Sequence, residues 1–330
     1  MSPSAVVIGS NCFTGSHFVD ALLDDPDQLV IGLSRSQEKG VFSLPYRART
    51  PERFQFFQLD LVRHSEAVQA LLDEQQPATV INVAALSEVA LSNVSPVEYF
   101  ELNTLAMVRL CNFLRTRPYL KRYVHISSAE VYGSCRHPVA ETEPLHPSTP
   151  YAVSKAAADL YIATLVKNFG FPAVTIRSTN VYGKHQQLFK IIPRTIIAIK
   201  QGKKVQLHGG GLAIKSFVHI RDVVRGALAA IQRGASGSLY HFSTSDGATI
   251  AEIVRRIAEL MGRSFEEVAE PVEERLGQDA RYWLDCTKAQ RELGWMPRVP
   301  FDEGLRETID WIERSWDEAV REPQTYVHKV

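Results

Sequence analysis

Six short apolar runs recur through the first 178 residues, each followed by a longer stretch of helical periodicity: AVVIG (5–9), LVIGLS (29–34), FQFFQL (54–59), ATVINVA (78–84), RYVHIS (122–127) and PAVTIR (172–177). Runs this short and this continuously apolar read as strands covered on both faces. Strands alternating with helices imply parallel pairing through right-handed crossovers, hence an α/β, doubly wound parallel sheet. Beyond residue 178 the pattern loosens into short strands (KKVQLHG, SFVHI), helices (DVVRGALAAIQ, IAEIVRRIAELMG) and acidic loop. A smaller α/β domain built from C-terminal excursions would read this way.

Composition narrows the partners. With 330 residues, 45% of them hydrophobic, the chain can bury a large core. Lys and Arg number 37, as do Asp and Glu, so no net basic field points to nucleic acid or an anionic membrane. Cys12, Cys111, Cys135 and Cys286 are scattered without metal-ligand spacing, and MSPS passes directly into an apolar strand with no secretory core. No metal site is expected, and a reducing cytoplasm is the expected location. No apolar run approaches the roughly 20 residues needed to cross a bilayer.

The stretch VVIGSNCFTGSHF (6–18) follows the first strand and opens a helix near Thr14. Gly9, Cys12 and Gly15 stand at three-residue intervals. Gly9 permits a tight turn, and Gly15 lets helix and strand approach while amides at the helix start face a pyrophosphate. The middle position normally lacks a side chain, and Cys12 departs from that. On these residues alone a cofactor cradle and an unliganded strand, turn and helix both stand. The second strand ends in Ser34 and Arg35 rather than an acid. An arginine there suits a 2′-phosphate and tilts the reading from NAD towards NADP, a solvated loop arginine being the other reading. Asp60 is placed either to contact adenine or to cap a helix.

The strongest chemical signal is the pair HISSAEVYG (125–133) and PYAVSKAAAD (150–159). Tyr151 and Lys155 lie one turn apart on a single helix face, where an ammonium can depress the phenol's pKa and make it a workable base. Ser128, at the end of the preceding strand, can reach the same reacting hydroxyl.

With NVAALSEV (82–89), ELNTLA (101–106), RSTNVYG (177–183), FKIIPR (189–194), KSFVHIRDVV (215–224) and QDARYWLDCTKAQRELGW (278–295), these motifs resemble, in order and spacing, the extended short-chain dehydrogenase/reductase family. The similarity is to its nucleotide-sugar dehydratase and epimerase branch and covers nearly the whole chain. It implies a Rossmann-type dinucleotide-binding domain at 1–178, with parts of 215–262 returning to it, and a mainly nucleotide-sugar-binding domain at 179–330. It implies NAD(P) contacts from Gly9, Asn11, Cys12, Phe13, Thr14, Gly15, Ser34, Arg35, Asp60, Leu61, Ala84, Ala85, Asn103, Tyr151 and Lys155. Ser128, Tyr151 and Lys155 would form the hydride-transfer triad. Ser87, Ser128, Asn180, Lys190, Lys215 and Arg281 would meet the nucleotide sugar, with Lys215 standing where many dehydratases of the branch carry arginine.

The reaction turns on residues 129 and 130. dTDP-glucose 4,6-dehydratases carry Asp-Glu there, an acid for the departing C6 oxygen and a base for the C5 proton; this chain carries Ala129 and Glu130. GDP-mannose 4,6-dehydratases and UDP-glucuronate decarboxylases resemble it in keeping the glutamate alone, whereas 4-epimerases generally lack it. The resemblance therefore implies a nucleotide-sugar 4,6-dehydratase, with a 4-epimerase or a UDP-glucuronate decarboxylase as alternatives. A proton for the leaving oxygen would come from Glu130, a water or a hydroxyl such as Ser87. Helix 150–168 is apolar on more than one face, which with the family's habit implies a homodimer. His125 and Trp295 read as core, HGGG (208–211) as a turn, and EERLGQDARY (273–282) as a loop able to close over the nucleotide.

Overall fold

The structure, a computed structural model, describes residues 4–49, 52–245, 247–273 and 279–326. Seven strands form one parallel sheet. In chain order these are β1 (Ser4–Ile8), β2 (Leu29–Ser34), β3 (Phe54–Gln58), β4 (Thr79–Asn82), β5 (Arg122–Ile126), β6 (Ala173–Ser178) and, after three short strands elsewhere, β10 (Leu239–Phe242). Their spatial order is β10-β6-β5-β4-β1-β2-β3, with every adjacent pair parallel. The strand order reverses at β1, which pairs with β2 on one side and β4 on the other. That reversal leaves a crevice at the strands' carboxyl ends, where ligands of such sheets bind.

The continuous apolar runs have a direct cause, for both faces of the sheet are covered. On one face Val6, Ile8, Ile31 and Leu33 pack with Leu72, Leu110, Leu114 and Ile162 from three helices. On the other, Val7, Val30, Ile81 and Val124 pack with Phe18, Val223, Ala227 and Trp295. Trp295 donates from Nε1 to the Asp222 carbonyl at 2.8 Å, so its one polar atom is satisfied inside the core. His125 is likewise buried. The seventh strand, LYHF, extends the sheet beyond the six runs legible in the sequence.

The remaining strands are β7 (Asn180–Tyr182), β8 (Val205–His208), β9 (Ile214–His219), β11 (Gly247–Thr249) and β12 (Ala269–Val272). β9 lies between β7, which it meets in parallel, and β11, antiparallel; β8 pairs with β12. Helices Ile191–Lys200, Ile250–Leu260 and Phe301–Arg314 close a separate core around Ile196, Ile257 and Ile312. HGGG forms a tight turn between β8 and β9. Of the 273–282 loop, residues 274–278 lie outside the described residues. Among the described residues, no helix is long and apolar enough to cross a membrane.

Candidate active site

The turn after β1 opens onto a cleft of about 760 Å³ at the crevice. Gly9 has φ +90, and a Cβ added to it would lie 2.8 Å from the Ala84 amide nitrogen. A Cβ on Gly15 would come within 2.2 Å of the Gly9 carbonyl oxygen. Both positions therefore demand glycine, and Gly15 lies behind the cleft wall as the close contact between helix and strand. Cys12 needs no glycine, because its backbone is extended (φ −94, ψ 164). Its sulfur turns back to accept from the Gly15 N–H at 3.3 Å, which makes it the cap of helix Phe13–Leu22. Burial pushes the thiol's pKa up, so it caps as a neutral group. Phe13 and Thr14, which start the helix, face the cleft.

Asn11 clamps this turn to the loop after β2. Its amide donates to Ser34 Oγ at 3.0 Å, its Nδ2 to Ser36 Oγ at 2.9 Å and the Gln37 carbonyl at 2.6 Å, and its Oδ1 accepts from the Lys39 amide. Arg35 is exposed on the cleft rim. Asp60 also lines the cleft, and its Oδ1 accepts from the Val62 and Arg63 amides at 2.7 and 3.1 Å, bracing the turn before helix Ser65–Gln75 rather than capping that helix. Leu61, Ala84 and Ala85 complete this wall. The glycine cradle, the helix start and the cleft's size fit a dinucleotide.

Asn103, expected among the cofactor contacts, lies off the cleft wall. It sits on a π-helical turn, Glu101–Ala106, inside the long helix. Its Oδ1 accepts from the Leu86 amide, and its Nδ2 donates to the Leu86 carbonyl and Ser154 Oγ, all at 2.9–3.0 Å. Such a turn re-aims a side chain, here to brace the loop after β4 against helix Pro150–Phe169.

That helix is capped by Thr149, whose hydroxyl accepts from the Ala152 amide at 3.2 Å, carries Pro150 in its first turn, and ends at Gly170 in a left-handed conformation. Tyr151 and Lys155 both reach the cleft. The expected depression of the Tyr151 phenol is absent: burial, then the charge of Glu130, push its pKa up, with the Ser128 hydroxyl pulling the other way. Lys155 donates to the Ile126 carbonyl at 2.7 Å, and burial brings its own pKa down to about 8.

Ser128 follows β5 and caps the tight turn Ala129–Tyr132, accepting from the Glu130 amide at 3.2 Å. Glu130 lines the cleft, and its Oε2 is sealed from water with no hydrogen-bond partner. Burial holds this carboxyl at about 7, against the ammonium groups of Lys215 and Lys190. A carboxyl balanced near neutrality beside a buried tyrosine is equipped to take and return a proton.

Asn180, Lys190 and Lys215 also line the cleft, and Ser87, at its edge, is exposed. Lys190 pairs with Glu88 at 3.0 Å. Lys215 donates to the Asp279 carbonyl at 2.7 Å and lies 4.1 Å above the Tyr282 ring. Arg281, expected at the substrate, is off the cleft wall; its guanidinium stacks on Trp283 at 3.6 Å. A cationic fork finds a ready aromatic face there.

Behind the site runs a buried polar network that the motifs did not reveal. Asp159, one turn beyond Lys155, accepts from Ser127 Oγ at 2.8 Å and from Arg177 Nε and Nη2 at 2.9 and 2.8 Å. His125 Nε2 lies 3.4 Å from its other oxygen. Arg177 donates onward to the Tyr132 hydroxyl, which meets His241 Nε2 at 2.8 Å. The available signal was spacing, since Tyr151, Lys155 and Asp159 share one helix face at intervals of four.

Comparison with known proteins gives a consistent result. A profile of the GDP-mannose 4,6 dehydratase family matches residues 6–308. The dTDP-glucose 4,6-dehydratase of Streptomyces griseus is 33% identical over 328 residues, covering 97% of this chain and 98% of its own. The dTDP-D-glucose 4,6-dehydratase of Mus musculus is 29% identical over 318 residues, covering 94% and 89%. Among solved structures, the dTDP-glucose 4,6-dehydratase DesIV of Streptomyces venezuelae, with NAD bound, matches at a TM-score of 0.86 and 29% identity over 95% of this chain and 98% of its own. UDP-glucose 4-epimerase of Thermotoga maritima, with UDP-glucose, matches at 0.86 and 25% identity over 95% and 99%.

Proposed function

The chain belongs to the GDP-mannose 4,6-dehydratase family, within the extended short-chain dehydrogenases/reductases, and from that premise we propose that it removes water from a nucleotide hexose. The product is a nucleotide-linked 4-keto-6-deoxyhexose. Glu130 is the observation that carries this reading: an unpartnered carboxyl held at about 7 in the same cleft as Ser128, Tyr151 and Lys155.

A bound nicotinamide dinucleotide supplies the hydride acceptor and donor. Tyr151, beside the Ser128 hydroxyl, would take the O4 proton as C4 is oxidised; burial raises its phenol's pKa, and the positive charge of an oxidised nicotinamide next to it would bring that pKa down again. The new ketone acidifies the C5 proton, which Glu130 takes and delivers to the oxygen leaving C6; as C6 is then reduced by the hydride taken from C4, the proton that Tyr151 took from O4 would return to C5. Ala129 is buried and offers only a methyl group, and Ser87 stands exposed at the rim, so one carboxyl serves as base and then acid. Lys190 and Lys215 meet the diphosphate, Lys190 exchanging its bond to Glu88 for one to phosphate. Residues 1–178, with parts of 215–262, hold the dinucleotide, and 179–330 mainly hold the nucleotide sugar; the four free cysteines suit a reducing cytoplasm. Incubation with a panel of nucleotide sugars, read by mass spectrometry, should give loss of one water from one of them. An isomer of unchanged mass would make the protein a 4-epimerase, and loss of carbon dioxide a decarboxylase.

Arg35, exposed beside Ser34 on the rim, supports NADP over NAD. Arg35→Ala is expected to weaken NADP by about 1–3 kcal/mol, the scale of a lost charge-assisted contact, and to spare NAD. Calorimetric titration that finds equal losses, or tighter NAD in the unaltered protein, returns the cofactor to the NAD seen in DesIV.

A homodimer is part of the same reading. Val153 and Leu160 on helix Pro150–Phe169, with Val97 and Leu105 on the neighbouring helix, are exposed, an apolar strip suited to a second copy of itself. Leu160→Glu should yield monomers in sedimentation runs where the unaltered chain sediments as a dimer. A monomeric unaltered chain sinks the idea.

A further inference from the structure

The last described residues do not trail away from the molecule. Helix Trp316–Ala319 packs into the smaller core through Trp316 and Ala319, yet Glu322, Pro323, Thr325 and Tyr326 line the same cleft as Gly9 and Lys155. Tyr326 meets the Phe189 ring edge-on, 5.3 Å between centroids at 88°. Phe189 in turn lies 5.2 Å from the Lys190 ammonium, which is tied to Glu88. Burial first, then Glu88 and Glu98, push the pKa of the Tyr326 hydroxyl up, while Arg35 pulls it down. Phe189, Arg35, Glu98 and Tyr326 thus line one cleft.

We propose that residues 322–326 form a strap across the mouth of the dinucleotide cleft, clasped by the Tyr326 ring on Phe189, and that the strap slows release of the dinucleotide. The proposal rests on the dinucleotide reading above. Its physical logic is kinetic. An enzyme that regenerates its cofactor within each turnover gains nothing by letting it go, and a segment lying across a bound ligand acts chiefly on the rate of departure. An edge-on aromatic pair is the right scale of fastening, since its loss together with the burial of one ring speeds release by about tenfold or more.

The test uses the full chain loaded with reduced dinucleotide, whose release is followed by fluorescence during a chase with excess oxidised dinucleotide. Tyr326→Ala, and a chain ending at Glu322, should each release it about tenfold faster than the unaltered protein. Tyr326→Phe keeps the ring and should release at the original rate. Equal melting temperatures of the dinucleotide-free proteins would place the change in the strap rather than in folding. Release from Tyr326→Ala within about twofold of the unaltered rate overturns the strap, and so does a Tyr326→Phe protein as leaky as Tyr326→Ala. An unaltered protein that retains no dinucleotide and whose activity added NAD or NADP leaves unchanged overturns the strap and the redox reading together, whereas one that retains none but is activated by added dinucleotide, or firm retention with unchanged release from the variants, removes the strap alone.

Discussion

Glu130→Gln is expected to bind the substrate and reduce its cofactor, yet form almost no 4-keto-6-deoxy product. The amide matches the carboxylate in shape but cannot take a proton from carbon at neutral pH, and loss of a positioned base costs on the order of 10²–10⁴ in rate. Reduced cofactor should therefore appear on mixing and persist, measurable by its absorbance. Tyr151→Phe should differ in kind, because it blocks the first hydride transfer and no reduced cofactor appears. The pH dependence follows from the same carboxyl. Burial lifts Glu130 from 4.5 to about 7, so steps that need its carboxylate should accelerate as pH rises through neutrality. Stability runs the opposite way. A folded-state pKa above the unfolded one contributes stability that is complete below the unfolded value and is lost as pH rises through about 7. Glu130→Gln never acquires that buried charge and should melt no lower than the unaltered protein at alkaline pH. A Glu130→Gln protein forming product at the normal rate would falsify the assignment and put the epimerase first.

The parts of this site that were legible in the sequence are those set by local geometry. Strands covered on both faces leave continuous apolar runs, so six of the seven sheet strands can be read; β10, LYHF, lies beyond residue 178, where the alternation of runs and helices loosens. Glycine spacing located the turn at Gly9 and Gly15, while the role of Cys12 depended on a side-chain rotation that spacing does not encode. The i, i+4 rule put Tyr151 and Lys155 on one face but says nothing of depth. Both are buried, at 7% and 3% exposure, and burial rather than their mutual charge dominates both pKa values. Asn103 and Arg281 lie off the cleft wall for a related reason, since a π-helical turn and a nearby indole decide where each side chain points. The partners of Asp159 come from β5 and β6, whose register, His125 opposite Thr175, only the folded sheet supplies.

Arg177→Met is expected to destabilise the fold by about 3–5 kcal/mol, because it leaves the carboxylate of Asp159 buried without its principal counter-charge. Arg177 and Asp159 are exposed by only 4% and 6%. Against the push of burial, His125 and Arg177 hold the Asp159 carboxyl below its ordinary value. The guanidinium also supports Tyr132 and, through it, His241. The loss should depend on pH in a direction set by His125. Burial, Lys155 and Arg177 keep this imidazole down at about 4, below its ordinary 6.5, so the unaltered protein loses stability as pH falls through that interval. Without Arg177 the imidazole gains a proton more readily beside Asp159 and replaces part of the missing charge. The deficit measured by urea unfolding should therefore be smaller at pH 5 than at pH 8. Arg177→Met combined with Asp159→Leu removes both charges and should recover much of the loss, the non-additivity that marks a coupled pair. A single variant within about 1 kcal/mol of the unaltered protein at pH 8 would mean that the network carries little of the fold's stability.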